Sequence, residues 1–147
     1  MKFLFAFLLL LAPCMSQAET SDLFGCYKLK MSSWSPTMHL GEDDVYITPP
    51  QIFALTSSKI SYDGPEYMRI SPALGATDPI HKYASWREKG VHVLLEWSTG
   101  TAGLSMDLTR VPGGLAGEAR TIWDFERTVQ TSKVRAIKIA CRISKGG

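Results

Sequence analysis

The 147-residue chain contains no asparagine. N-linked glycosylation is therefore excluded, and every tight turn has to be built from Gly, Asp, Ser or Pro. Net charge is also scarce: 16 Lys plus Arg against 14 Asp plus Glu leave +2, too little for a general polyanion footprint, so no nucleic-acid partner is expected. Cysteine and histidine number three each, and neither shows the paired ligand spacing that structural zinc requires, so no metal is expected. HExxH, P-loop and dinucleotide glycine fingerprints are missing, which leaves no cofactor to expect. The longest apolar run, Phe3 to Ala12, is about half the roughly 20 residues that span a bilayer, so no retained transmembrane segment is expected.

What is present begins with a leader. Lys2 precedes that apolar run, Pro13 breaks it, and Ser16-Gln17-Ala18 puts small residues at the two positions a signal peptidase reads. Residues 1–18 read as a signal peptide and residues 19–147 as one domain, destined for the periplasm or for secretion. The very short basic start favours a bacterial envelope protein. An alternative takes Leu11-Ala12-Pro13-Cys14 as a lipoprotein box, with Cys14 acylated. Both readings leave Cys26 and Cys141 near opposite ends of the exported chain, where one disulfide is expected.

The hydropathy pattern along the domain has a period of two. Val91, Val93, Leu95 and Trp97 alternate with His92, Glu96 and Ser98, with Leu94 as the exception. After Thr99-Gly100, Leu104, Met106 and Leu108 alternate with Ser105, Asp107 and Thr109. Val111-Pro112-Gly113-Gly114 turns the chain again, Leu115 and Ala119 open a third strand, and Ile137 with Ile139 mark a closing one. Upstream, Phe24–Met31, Asp44–Thr48, Gln51–Thr56, Ser58–Tyr62, Glu66–Ile70 and His81–Trp86 add shorter candidates. No amphipathic helix, repeat or low-complexity tract interrupts them. The prediction is all-β: a small antiparallel meander barrel of eight to nine strands closed by one disulfide. If both cysteines face one side, the parity of Cys26 against Tyr27, and of Cys141 with Ile137 and Ile139, requires a bulge or a late strand start.

Gly25-Cys26-Tyr27 resembles the Gly-x-Trp opening of lipocalins and related calycin barrels, with Tyr in place of Trp. Arg142 stands where that family carries an arginine across the aromatic. The Thr-Asp-Tyr motif of the middle of that family is not found, nor is a C-terminal helix. The outline is also similar to that of secreted bacterial barrel inhibitors of proteases and lysozymes. These resemblances imply a barrel, and either a small apolar ligand or a protein partner.

Chemistry-bearing residues are few. Gly103-Leu104-Ser105-Met106-Asp107 begins like a nucleophile elbow, but Asp107 replaces the closing glycine and the segment reads as a strand. His81 and His92 stand alone on strands. The two longest irregular stretches are Ser32–Glu42 and Ser71–Pro79, and loops are where recognition concentrates. The first combines Trp34 with His39, Glu42, Asp43 and, at its end, Asp44, which are the candidate partner-binding residues. Trp34 either caps the barrel or anchors a partner. Charge is polarised along the chain: residues 19–109 carry seven basic and eleven acidic side chains, residues 110–147 eight and three. Arg120, Arg127, Lys133, Arg135 and Lys138 then form either a basic face toward an acidic protein, anionic lipid or peptidoglycan partner, or ordinary solvated strand edges. The reading is a non-catalytic exported protein that binds a protein partner in the cell envelope, as an inhibitor or immunity-type antagonist. The alternatives are a lipocalin-like carrier of a small apolar ligand and a hydrolase.

Overall fold

A computed structural model describes residues 22–36, 48–60, 66–72, 83–123 and 129–141. The leader, Asp44–Ile47 of one strand candidate, and Arg127 and Arg142 lie outside them. Eight strands follow in chain order: β1 (Gly25–Met31), β2 (Ile52–Lys59), β3 (Met68–Pro72), β4 (Tyr83–Lys89), β5 (His92–Ser98), β6 (Ala102–Val111), β7 (Gly114–Trp123) and β8 (Thr131–Ile139). Each pairs antiparallel with its neighbour in sequence, and β8 returns to β1 to close the barrel. No sheet edge is left. This is the barrel shape of the calycins, reached without a helix among the described residues.

Two strand expectations merge. Most of Gln51–Thr56 and the start of Ser58–Tyr62 fall in one strand, β2, which ends at Lys59, because a register irregularity between Leu55 and Lys59 lets the chain bend without leaving the sheet; Ser61 and Tyr62 lie outside the described residues. Thr56 sits in that irregularity and is used twice: its hydroxyl donates to the Arg69 carbonyl at 2.9 Å, and its carbonyl accepts the Trp86 indole Nε1–H at 3.0 Å. A buried tryptophan thereby satisfies its polar atom.

The β4–β5 and β6–β7 turns are two residues long, Gly90-Val91 and Pro112-Gly113, with Gly90 and Gly113 at positive φ. Val91 therefore stands in a turn and is 71% exposed. This corrects its assignment to the inner face. The alternation begins one residue later than the apolar pattern suggests, because the hairpin turn removes Val91 from the pleat.

The inner face holds Tyr27, Leu29, Phe53, Leu55, Trp86, Val93, Leu95, Trp97, Leu104, Met106 and Leu108, all buried. Opposite in size, β7 and β8 point Ala119, Ser132 and Ala136 inward, and these leave the axis to the rings of the other strands. Phe53 stacks on Tyr27 at 5.6 Å and meets Trp97 edge-on at 5.7 Å. Among the described residues, these rings and aliphatic side chains occupy the barrel axis.

Cys26 and Cys141 form the expected disulfide. Neither a bulge nor a late strand start is needed. Cys26 lies opposite Ile139, while Tyr27 lies opposite Lys138 and Leu29 opposite Ala136, so the buried inward set of β8 is Ser132, Val134 and Ala136. Ile137 and Ile139 belong to the outer face with both cysteines, and there they are half-buried.

One end of the barrel is plugged by the residues preceding β1. Leu23 is buried, and its carbonyl accepts the Tyr27 phenol at 2.7 Å. Phe24 packs edge-on against Trp86 at 5.9 Å. Arg110 bridges Asp22 at 3.2 Å and Glu88 at 3.4 Å, and the Lys138 ammonium donates to the Asp22 carbonyl. Among the described residues Lys138 lies over the Tyr27 ring, at 6.0 Å.

Burial, reinforced by the Asp22 carboxylate and opposed by the Arg110 guanidinium, pushes the Tyr27 phenol up to about 12. The protonated phenol is the form the fold accommodates, so its contribution is intact below pH 10 and is lost as pH rises from about 10 to about 12. Two pH units correspond to about 2 to 3 kcal/mol. Urea unfolding across that interval is expected to show this loss in the wild type and a flatter profile in Tyr27→Phe. Parallel profiles would remove Tyr27 from the alkaline transition.

Candidate binding surfaces

The meander sends its connections alternately to the two ends. The two-residue turns and the β2–β3 connection (60–67) leave the end plugged by Leu23, whereas the β1–β2 connection (32–51), the β3–β4 connection (73–82), the short β5–β6 turn (99–101) and the β7–β8 connection (124–130) leave the opposite end. Strands β1 and β3, which the two irregular stretches singled out in the sequence follow, therefore end at one rim. The topology requires this, since both strands run in the same direction.

Residues 32–36 and 48–51 of the first connection are described, and its start is tied to β8. Ser35 forms a bridge with Thr131, with hydrogen bonds of 2.8 and 2.9 Å in the two directions. Ser132 Oγ donates to the Ser32 carbonyl at 2.7 Å, and the Lys133 N–H donates to Ser32 Oγ at 3.0 Å. Between these anchors Trp34 is half-buried and packs against the core. His39, Glu42, Asp43 and Asp44 lie outside the described residues, as do His81 and most of the Ser71–Pro79 stretch.

A second concave surface lies on the outer wall, across β4 to β7. It encloses about 620 Å³. Its floor is Leu94, Ser105 and the backbone at Gly117, and Arg87 with Tyr67 forms one side and Glu118 with Arg120 the other. Gly117 has a local reason: a Cβ there would stand 2.0 Å from the Asp107 carbonyl oxygen, so only glycine lets β7 approach β6 this closely. Leu94, the residue that breaks the alternation of its strand, is half-exposed in this groove. That break in pattern was the available sequence signal for the groove. The groove as a whole was missed, because its outward residues come from four strands.

Most charges in the groove are compensated. His92 Nδ1 meets Asp107 Oδ1 at 2.6 Å, which corrects the expectation that His92 stands alone. Arg120 pairs with Glu118 at 2.9 Å, and Arg87 pairs with Glu66 at 3.4 Å while lying 4.6 Å over the Tyr67 ring. Glu96 makes no ion pair among the described residues. A half-exposed leucine beside one uncompensated carboxylate fits a ligand group with an aliphatic stem and a cationic end, a lysine or arginine side chain.

The same groove does not assemble a nucleophile relay. Ser105 lies opposite Glu96, and His92 lies opposite Thr109, four residues further along the ladder. That is about 13 Å, beyond hydrogen-bond reach. Among the described residues no group of three or more His, Cys, Asp or Glu side chains is placed to hold a metal ion. No helix long and apolar enough to cross a membrane is present among the described residues. The outer wall itself carries Lys28, Arg69, Glu96, Asp107, Arg120 and Arg135 around its circumference, where a membrane-spanning barrel needs an apolar band.

No family model matches the chain, and no curated protein or solved structure is significantly similar to it.

Proposed function

We propose that this is a non-catalytic, exported binding protein that recognises another protein of the cell envelope through the loop-bearing rim of its barrel, as an inhibitor or immunity-type antagonist does. One observation carries this reading: the axis is occupied by Trp86, Trp97, Phe53 and Tyr27, so recognition is left to the outside of the molecule. A carrier of an apolar ligand needs an interior cavity of about 300 Å³ or more. A concavity of about 620 Å³ is on the outer wall instead, where charged side chains line it. Export rests on the leader pattern of residues 1–18 and agrees with a disulfide across 115 residues.

In this reading Trp34 is the anchor of the rim, and His39, Glu42, Asp43 and Asp44 supply its polar contacts. The test is affinity capture from an envelope fraction with mass spectrometry, followed by binding measurements on the captured protein. Trp34→Ala is expected to weaken binding about tenfold or more. The Asp43→Ala/Asp44→Ala pair should slow association and reduce its salt dependence. Because Trp34 packs against the core, its truncation also lowers the stability of the free domain, and circular dichroism has to show that the variant is folded at the assay temperature. If both rim variants bind as the wild type does and Leu94→Arg does not, the outer groove is the recognition surface and the rim is structural. Stoichiometric uptake of an apolar fluorescent probe, competed by a fatty acid, would replace the binder by a carrier.

A further inference from the structure

We propose that the outer wall formed by β1 and β8 is a docking face for an anionic phospholipid membrane. Four outward side chains, Lys28, Lys30, Lys133 and Arg135, are exposed on it. The β1–β8 register puts Lys30 directly opposite Arg135, with Lys28 two residues to one side and Lys133 two residues to the other. The four charges therefore span about 14 Å along the strands and about 5 Å across them. None of the four forms an ion pair among the described residues. The neighbouring outward residues of β2, Ile52, Ala54, Thr56 and Ser58, add no acid. Glu118, opposite Lys133, is engaged by Arg120.

Two ordinary explanations of such a stripe do not apply. Lysines on an edge strand deter unwanted pairing, but β1 and β8 pair with each other and the barrel has no edge to protect. Cross-strand charges also stabilise a sheet when they are opposite in sign, whereas Lys30 facing Arg135 costs stability. The arrangement lowers the stability of the seam that closes the barrel, and its return has to come from outside the molecule.

The chemistry of the wall favours lipid over an acidic protein. Protein interfaces are enriched in aromatic and arginine anchors and depleted in lysine. Three of the four charges here are lysines, the outward positions of β1, β2 and β8 hold no aromatic residue, and the described concavity lies on other strands. Lysine is a flexible, hydrated point charge that needs no fixed geometry in its partner. A plane of anionic headgroups offers the same. The wall runs along the barrel, so a membrane-docked molecule keeps its loop-bearing rim free for a second partner.

Co-sedimentation of the full, disulfide-bonded chain with phosphatidylcholine vesicles, and with vesicles containing about one-third phosphatidylglycerol, tests this. Binding to the neutral vesicles measures whatever residues 3–12 contribute, so the quantity of interest is the excess on the anionic ones. Each basic residue near such a surface is worth about fivefold in partitioning. Lys30→Gln/Arg135→Gln is expected to lower the excess about 30-fold, and the fourfold variant that adds Lys28→Gln and Lys133→Gln to abolish it. Lys30→Arg/Arg135→Lys should retain it. Lys59→Gln/Lys89→Gln, which removes two exposed charges elsewhere, should change it less than about threefold. Melting temperatures of the charge-removing wall variants are expected to equal or exceed the wild type, because the opposed pair is relieved. An excess that is absent in the wild type, that survives in the fourfold variant, or that falls equally in the Lys59/Lys89 control overturns the proposal, including the case in which an acidic protein binds the wall and the vesicles do not.

Discussion

Reduction of the Cys26–Cys141 bond, or its replacement by two serines, is expected to lower the unfolding free energy by about 4 kcal/mol. The bond joins residues 115 apart, and a chain-entropy treatment of a closed loop of that length gives about 4.7 kcal/mol. It also pins the first strand to the last, adding a covalent tie to the β1–β8 ladder and the hydrogen bonds of Ser32 and Ser35 to β8. Small domains are stable by roughly 5 to 15 kcal/mol, so a loss of this size removes a large share of the total. Urea unfolding with and without reductant measures it directly, and the double-serine variant separates the effect from reductant itself. A change below about 1 kcal/mol would mean that the unfolded chain is already compact enough for the crosslink to constrain little, and that the seam closes on hydrogen bonds and packing alone.

Trp97→Ala is expected to cost about 3 to 5 kcal/mol. The side chain is buried to 1% exposure, lies opposite Ala84 and Leu104 on the ladders of its two neighbours, and meets Phe53 edge-on. Phe53 in turn stacks on Tyr27, so removal of the indole leaves a void beside an aromatic group that cannot collapse without shifting three strands. Val91→Ala is the matched control, since the sequence pattern puts both residues in one apolar alternation and the structure separates them. Its expected change is within about 0.5 kcal/mol, because the side chain projects from a turn into solvent. Chemical denaturation of the two variants distinguishes the faces. Equal losses, or a Trp97→Ala cost below about 1 kcal/mol, would place Trp97 outside the packed axis.

The strands of the central hairpins were legible because alternation is a local property: a residue's parity within a strand decides which face it joins, and Val93, Leu95, Leu104, Met106 and Leu108 obey it. The turns at Thr99-Gly100 and Pro112-Gly113 were equally local, announced by residues able to adopt the conformations found there. Pairing of the two cysteines needed only their count and the expected compartment. Local patterning did not reveal how one strand registers on another. The apolar character of Ile137 and Ile139 suggested an inner face, yet the seam puts Val134 and Ala136 inside and the isoleucines outside with the disulfide. Leu94 read as an exception until four strands were seen to surround it as the floor of a groove. The basic wall is the extreme case. Lys28 and Lys30 belong to a part of the chain that is acidic overall, Lys133 and Arg135 to the basic part, and closure of the barrel across about one hundred residues makes them neighbours. Composition and periodicity pointed to an all-β meander with the strand spacing of a sandwich or barrel, and the return of β8 to β1 closed it as a barrel. Which residues became one surface was decided by long-range strand pairing, whose register depends on the packing of the whole interior and is carried by no single segment.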